Sequence, residues 1–412
     1  MGEPVTATRV LACRSCGTPL PAPFLDLGET PVANRLLRDP DQAEDRFPLA
    51  VSHCAECGLV QLAQELSAAD IFDADYPYYS SYSDSLTAAS RQYAERLIAE
   101  RGLGPGSLVV EVASNDGYLL QAFVERGVRV LGVEPSPGPA AAARERGVPT
   151  LEEFFGQEVA ARLLAEHGPA DVVIANNVMA HVPDLDDFVG GLAALVADRG
   201  VLTVENPSLA VLLDRVQFDM IYHEHYCYFS CLAVRRLFEA HGLGLVDVED
   251  LPTQGGSLRW WGSRSGAPSA AVDEHLAAER ALGLDRPETF AGLARRVTEL
   301  QGRLVALLSG LKDEGRSLAA YGAAAKGATL LNTTGIDTAL LDFVVDRNEH
   351  KQGLYMPGAR LPILPVEALL DRQPDVVLLL AWNVADEVVR QQHEYRSRGG
   401  AFVVPVPVPV LL

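Results

Sequence analysis

Long apolar runs are missing from this 412-residue chain. A membrane-spanning helix needs about 20 consecutive apolar residues, so no membrane partner is expected. A basic-then-apolar leader is missing too: MGEPVTATRVLACRSC reaches cysteine before any apolar core builds. Cytoplasmic location is the resulting expectation. Positive charge is scarce, with 34 Lys and Arg against 55 Asp and Glu, a formal net charge of −21. Neutralising phosphates requires the opposite balance, so nucleic acid is not an expected partner. What remains, 48 % hydrophobic and 22 % charged residues, is the composition of a soluble globular protein. Its length exceeds one ordinary core and fits two or three domains.

Cysteine is also sparse, at six residues, yet four of them are paired: CRSC (Cys13, Cys16) and CAEC (Cys54, Cys57). C-x-x-C sets two thiolates on one tight knuckle, and two knuckles complete a tetrahedral zinc shell. Gly17 and Gly58 follow the pairs directly, where a glycine lets the backbone turn and aim amides at sulfur. Four thiolates close the shell, so the prediction is a structural zinc with no open catalytic position. The alternative, two unrelated redox or buried pairs, is disfavoured in a reducing cytoplasm. Cys227 and Cys231 lack this spacing and are expected to pack or to line a site.

From Ser107 the chain reads SLVVEVASNDGYLLQAFVERGVRVLGVEPS. The apolar run Leu108–Val112 predicts a buried parallel strand, YLLQAFVERG a helix ending at Gly127, and RVLGVE a second strand closed by Glu134. This is the opening βαβ unit of a doubly wound sheet, with an acid placed to grip a ribose diol. The turn is ASNDG in place of G-x-G-x-x-G. Small and conformationally tolerant residues let it approach an adenosyl group, but it cradles a pyrophosphate poorly. That favours S-adenosylmethionine (SAM) over a dinucleotide. The candidate contacts are Glu111, Ala113, Asp116 and Gly117 around the turn, with Glu134 and Pro135 after the second strand. Further on, ADVVIANNVMAHVPDLDDFVGGLAALVADRGVLTVENPS predicts strand, polar mouth, helix and strand. Asn176, Asn177 and His181 fall at a strand's carboxyl end, where open α/β sheets bind ligands.

The stretch YHEHYCYFS, Tyr222–Ser230, holds two of only nine histidines. H-E-H does not set both rings on one helical face, as H-E-x-x-H would, so a metal here is disfavoured. If extended, Tyr222, Glu224 and Tyr226 share one side and His223 and His225 the other; if irregular, Tyr222 and His225 converge.

EDLPTQGGSLRWWGS reads as a final hairpin, SGAPS as a linker, and Glu288–Gly315 as helical. LAAYGAAAKGATLLN then predicts strand, small-residue turn and helix, with Gly322, Ala324 and Gly327 imitating G-x-G-x-x-G. LDFVVDRN, DVVLLLAWN and AFVVPVPV supply further strands of a second parallel sheet. At face value this is a dinucleotide site, and an NAD-dependent nucleotide-sugar oxidoreductase is the alternative reading.

CRSCGTPL, LDLGETPVANRLL, CAECGLVQL, YPYYSSYS, VVEVASNDGYLL, GVEPS, IYHEHYCYFS and GGSLRWW occur in that order. Together they resemble the zinc-containing, SAM-dependent sugar C-methyltransferases of deoxysugar biosynthesis. The resemblance is strongest to the C-3′-methyltransferases acting on a dTDP-linked 3-amino-4-keto-2,3,6-trideoxyhexose, as in the nitro- and aminosugar pathways of antibiotics.

It implies an α/β protein of three domains. These are a small zinc-binding domain (1–70), a central class I SAM-dependent methyltransferase domain of Rossmann-like fold (71–264), and a C-terminal Rossmann-like domain (265–412). The last would hold the dTDP part of a dTDP-4-keto-deoxysugar, with Lys326, Arg347, Asn348 and Lys351 available by position and chemistry. The chemistry needs a base to take the sugar C–H that the ketone acidifies. The resemblance implies His225 as that base, Tyr222 and Glu224 beside it, and His181 and Tyr76 lining the same pocket; His223 is left structural. A monomer is expected.

Overall fold

The computed structural model describes residues 8–67, 71 and 79–412. Tyr76 lies outside the described residues. Three larger sheets organise the chain. The first is antiparallel and four-stranded, built from Leu25–Thr30, Phe47–His53, Val60–Leu62 and the distant strand Cys227–Tyr228. Its last strand comes from YHEHYCYFS: Cys227 pairs with Gln61 and Tyr228 with Val60.

The second sheet has seven strands. Its spatial order is Gly244–Leu251, Ser257–Ser263, Val196–Pro207, Ala170–Asn176, Leu108–Val112, Arg129–Val133, Thr150–Leu151. Only Ser257–Ser263 runs against its neighbours. All five residues of Leu108–Val112 are buried, because helices cover both faces of a parallel sheet and apolar side chains must point both ways. The two strand–turn–helix units predicted from the sequence, and the final hairpin, are present.

The segment after SGAPS stays on this lobe. The Ser269 amide donates to the Val246 carbonyl at 2.9 Å, and a helix, Ala270–Leu282, follows. Its buried Glu279 accepts the amides of Cys231 and Leu232 at 2.8 and 2.9 Å. A carboxylate thus caps helix Cys231–Ala240, complementing orphan amides and the helix dipole. The long helix begins later than its apolar spacing predicts, at Leu293, and runs to Asp313; a 3₁₀ turn, Pro287–Phe290, occupies the preceding residues.

The third sheet orders Ile363–Leu364, Val344–Val345, Leu318–Tyr321, Val376–Leu379, Ala401–Val404 and Val410–Leu411, parallel except at the last strand. The glycines of GAAAKG serve close packing. A Cβ on Gly322 would lie 2.7 Å from that of Ala381, and one on Gly327 would lie 2.8 Å from that of Leu380. Asp346 accepts the Ala323 amide at 2.7 Å, closing the turn.

Contacts between the second and third lobes are specific. Trp382 donates its indole N–H to the buried Asp219 carboxylate, and Thr329 donates its hydroxyl to the Ile221 carbonyl at 3.2 Å. Gly255 lies against the Trp382 ring, with room for no side chain: a Cβ there would fall 2.7 Å from two ring carbons.

Candidate active site

A cavity of about 460 Å³ opens over the carboxyl ends of the central strands. All three lobes line it. Asn34 comes from the first, Glu134, Asn176, His181, Tyr222 and His225 from the second, and Lys326 and Lys351 from the third.

One wall collects left-handed backbone, a buried acid and unpartnered side-chain amides. Ala113, Asn115 and Asn177 carry φ values of 57°, 49° and 53°. Left-handed backbone at non-glycine residues costs of order 1–3 kcal/mol each and collects at ligand clamps. Glu134 is buried, and its two oxygens accept the amides of Asn115 (3.0 Å) and Ser136 (2.8 Å). Each carboxylate oxygen keeps a further acceptor site, available to a ribose hydroxyl. Burial pushes the Glu134 carboxyl above its ordinary range, opposed by those two amides. The side-chain oxygens of Asn176 and Asn177 have no protein partner, nor does either polar atom of the Asn206 amide. Buried polar groups without partners are costly, and ligand atoms are what would satisfy them.

Of the predicted SAM contacts, Ala113, Glu134, Pro135, Asn176 and Asn177 line the cavity; Glu111, Asp116 and Gly117 do not. Asp116 turns away to pair with Arg146 at 2.9 Å. Gly117 packs against Ala143 and Val148. Glu111 is fully buried behind the turn, where burial first, and then the charges of Asp116 and Glu134, hold its carboxyl well above the ordinary range.

The opposite wall is the histidine stretch, which is irregular up to Cys227, so Tyr222 and His225 do converge. His225 Nδ1 lies 2.8 Å from the Met220 carbonyl and Nε2 lies 2.7 Å from the Tyr222 hydroxyl. The two rings overlap with centroids 3.9 Å apart, and the His181 ring meets His225 edge-on at 4.7 Å. His181 Nδ1 is 2.7 Å from the Glu224 carbonyl. Burial lowers His181 to about 4. Burial, followed by the charges of His181 and Lys326, holds His225 well below the usual imidazole value. Both rings are therefore neutral at pH 7. Glu224 sits behind the cavity wall, its Oε1 accepting the Asn34 amide at 3.0 Å, and burial raises it to about 7. His223 points elsewhere, toward the Pro48 carbonyl at 3.2 Å.

The third wall supplies cations. Lys326 is buried, donates to Asn383, and lies over the Trp382 ring at 5.2 Å. Burial lowers its ammonium to about 8 while Asp219 opposes the shift. Lys351 is buried with its ammonium on the Ala323 carbonyl at 2.8 Å. Arg347 is not brought to the cavity: it pairs with Asp84 (3.3 Å) and Glu387 (3.8 Å) at the surface. Asn348 is buried outside the lining, accepting the His350 amide at 2.9 Å.

The four cysteine sulfurs of the first lobe all lie within 4.8 Å of one another. Each knuckle is closed by an amide, Gly17 to Cys13 at 2.9 Å and Gly58 to Cys54 at 2.8 Å, with positive φ at both glycines. Four sulfurs at this spacing fit one tetrahedral zinc. Cys227 and Cys231 are buried apart from it.

Asn206, Gln254 and Asn34 line the cavity without having been singled out in the sequence. Asn206 was findable, since it stands near the carboxyl end of the fifth central strand. Asn34 carried no signal, because its place depends on how the first lobe docks.

Numbered in chain order within the central lobe, the strands run 3-2-1-4-5-7-6 with only the seventh reversed. That arrangement defines a class I SAM-dependent methyltransferase. Family comparison agrees: residues 86–248 match the methyltransferase domain family, 13–72 a zinc binding domain family, and 252–407 the C-methyltransferase C-terminal domain family. The chain is 37 % identical to the C-methyltransferase NovU of Streptomyces niveus over 402 residues, 96 % of each protein. The chain belongs to this C-methyltransferase family. A methyltransferase of Mycobacterium leprae is 30 % identical over 124 residues, 30 % of this chain and 46 % of that one. Magnesium protoporphyrin IX methyltransferase from Synechocystis, solved with SAM, superposes at a TM-score of 0.34 with 18 % identity, over 43 % of this chain and 79 % of that one. The matches support carbon methylation with SAM and structural zinc, and give no support to the oxidoreductase alternative. No helix among the described residues is long and apolar enough to cross a membrane.

Proposed function

We propose that the chain methylates C-3′ of a dTDP-linked 4-keto-deoxysugar, with a 3-amino-2,3,6-trideoxyhexose as the expected sugar. The observation that carries this reading is the convergence of three lobes on one cavity. A SAM wall, a neutral Tyr222–His225 pair and two buried lysines face the same space. SAM, when bound, supplies an activated methyl group on a sulfonium.

Glu134 would hold the ribose hydroxyls, and the turn at Ala113 and Asn115 with Asn176 and Asn177 would orient the rest of the cofactor. Lys326 and Lys351 would hold the diphosphate and keep the sugar against His225; a buried ammonium attracts an anion far more strongly than a solvated one. The 4′-ketone acidifies the neighbouring C–H, and the neutral His225 pair takes up the proton. His181 and Glu224 shape that wall. A domain limit near residue 70 is proposed as a functional division, and the second limit, expected near 264, is proposed instead to follow helix Ala270–Leu282, which packs on the central lobe.

The test incubates the protein with SAM and dTDP-4-keto-sugars bearing 3-amino or 3-hydroxy groups, followed by mass spectrometry and NMR. A methyl gained at C-3′ is the expected result. A methyl on oxygen or nitrogen, or none, would overturn it.

A further inference from the structure

One side chain of the first cysteine knuckle reaches the wall of the cavity. Arg14 stands between the two cysteines of CRSC, and its amide donates to Gln61 Oε1 at 2.9 Å. Its side chain is 5 % exposed and crosses to the central lobe. There Nη1 donates to the Pro183 carbonyl at 2.7 Å and pairs with Glu65 at 2.7 Å. The guanidinium also lies over the Tyr226 ring, 5.1 Å from its centroid, in a cation–π contact. Pro183 is two residues past His181, and Tyr226 follows His225 directly. Arg14 thus grips both segments whose histidine rings meet edge-on at 4.7 Å.

Stability does not account for this arrangement. Nε and Nη2 of Arg14 are buried and have no partner among the described residues. A buried cation with unpaired donors is costly, and apolar replacements of buried ion pairs are often neutral or stabilising. The strand side is held without Arg14: the Tyr226 hydroxyl donates to the Leu66 carbonyl at 2.7 Å, and the Leu62 amide donates to the Tyr226 carbonyl at 2.9 Å. On the other side Pro183 has no amide of its own to tie the loop, and its carbonyl takes the Arg14 bond.

We infer that Arg14 is a positioning residue for methyl transfer, fixing the spacing of His181 and His225 from the zinc lobe without lining the cavity itself. This rests on the C-methylation reading above, in which both rings form the wall against the sugar. The cysteines on either side of Arg14 direct its backbone, so the lobe that carries the zinc also sets geometry where carbon reacts.

The test compares Arg14→Met and Arg14→Lys with the wild type, all zinc-loaded, on the dTDP-linked 3-amino-4-keto-2,3,6-trideoxyhexose. Arg14→Met keeps the stem and loses the donor. Its kcat is expected to fall by about 10- to 10²-fold, the cost of a displacement of about 1 Å near reacting groups. KM for the nucleotide-sugar, which Lys326 and Lys351 hold from another lobe, stays near wild type. Zinc content and melting temperature also stay near wild type, a split that a merely structural arginine would not give. Arg14→Lys keeps the charge without the planar fork, and its kcat falls between the two. Native kcat in Arg14→Met, or a loss that only follows lost zinc or a lowered melting temperature, overturns the inference. Should Arg14→Met fail to fold, Arg14→Lys decides: a reduced kcat at native melting temperature supports the inference, and a native kcat overturns it. No methylation by the wild type overturns the substrate reading instead. Arg14 is then read from the His181 and His225 ring signals of isotope-labelled protein by NMR, which shift in Arg14→Met if the inference holds and stay in place if it does not.

Discussion

Cys227 lies directly opposite Gln61 in an antiparallel pair, which makes the chain just past His225 a strand of the zinc lobe's sheet. Two residues of backbone join His225 to a strand that pairs with Val60–Leu62, the strand that follows the second cysteine knuckle. The zinc is structural, yet what it holds in place includes the wall of the cavity.

Chelating the zinc, or replacing Cys54 with Ser, is therefore expected to do two things. The melting temperature falls, because structural zinc binding contributes directly to folding free energy. Methyl transfer also falls in the fraction that stays folded, since the register of Cys227–Tyr228 on Val60–Leu62 loosens. Calorimetry alongside turnover checks this. A zinc-free protein with native melting and native turnover contradicts it.

His225→Asn should lower turnover by roughly 10²–10⁴-fold, the usual contribution of a positioned base, while SAM affinity measured by calorimetry stays near wild type. Glu134 and Asn176, on the SAM wall, are untouched by that change. Unchanged turnover rejects the assignment.

The pH dependence follows from two shifts. His225, the proposed base, is neutral, and its folded value is displaced below the ordinary ~6.5 of imidazole. The acid limb of turnover is therefore expected well below pH 6.5. Lys326 must be charged to hold an anion, and it loses its proton as pH rises through about 8. KM for the nucleotide-sugar should climb above that pH, and Lys326→Arg, charged throughout, should flatten the climb. A pH–rate profile with an acid limb above 7, or a KM flat to pH 10 in the wild type, counts against these roles.

Gly255→Ala places a methyl group 2.7 Å from the Trp382 ring at a position with φ of 83°. Overpacking costs about 1–3 kcal/mol and the left-handed backbone about 1 kcal/mol more. Denaturant unfolding is expected to register about 2–4 kcal/mol lost. A loss below about 0.5 kcal/mol, the range of an ordinary surface change, shows that the two lobes do not pack as tightly as Gly255 and Trp382 indicate.

The fold was largely legible because its signals are local. Leu108–Val112 and Ala170–Asn176 are apolar strands between turn residues, and paired C-x-x-C fixes a knuckle whatever lies around it. The site was legible only where position along a strand decides direction, as for Glu134, Asn176 and Asn177. It failed where side chains near a strand end choose between cavity and surface. Lys351 turns in to the Ala323 carbonyl, while Arg347 turns out to Asp84. Nothing within RNEHK separates them, because Asp84 comes from a helix more than 260 residues earlier in the chain. Likewise, the order Tyr222, then His225, then Met220 depends on an irregular backbone that period-two alternation does not describe.

The most direct measurement uses a dTDP-4-keto-sugar carrying deuterium at C-3′, incubated with the protein and SAM and weighed by mass spectrometry. The account predicts a product that has gained one methyl group and lost the deuterium. A methylated product that keeps its deuterium contradicts it, because the C–H bond facing Tyr222 and His225 would then never have been broken.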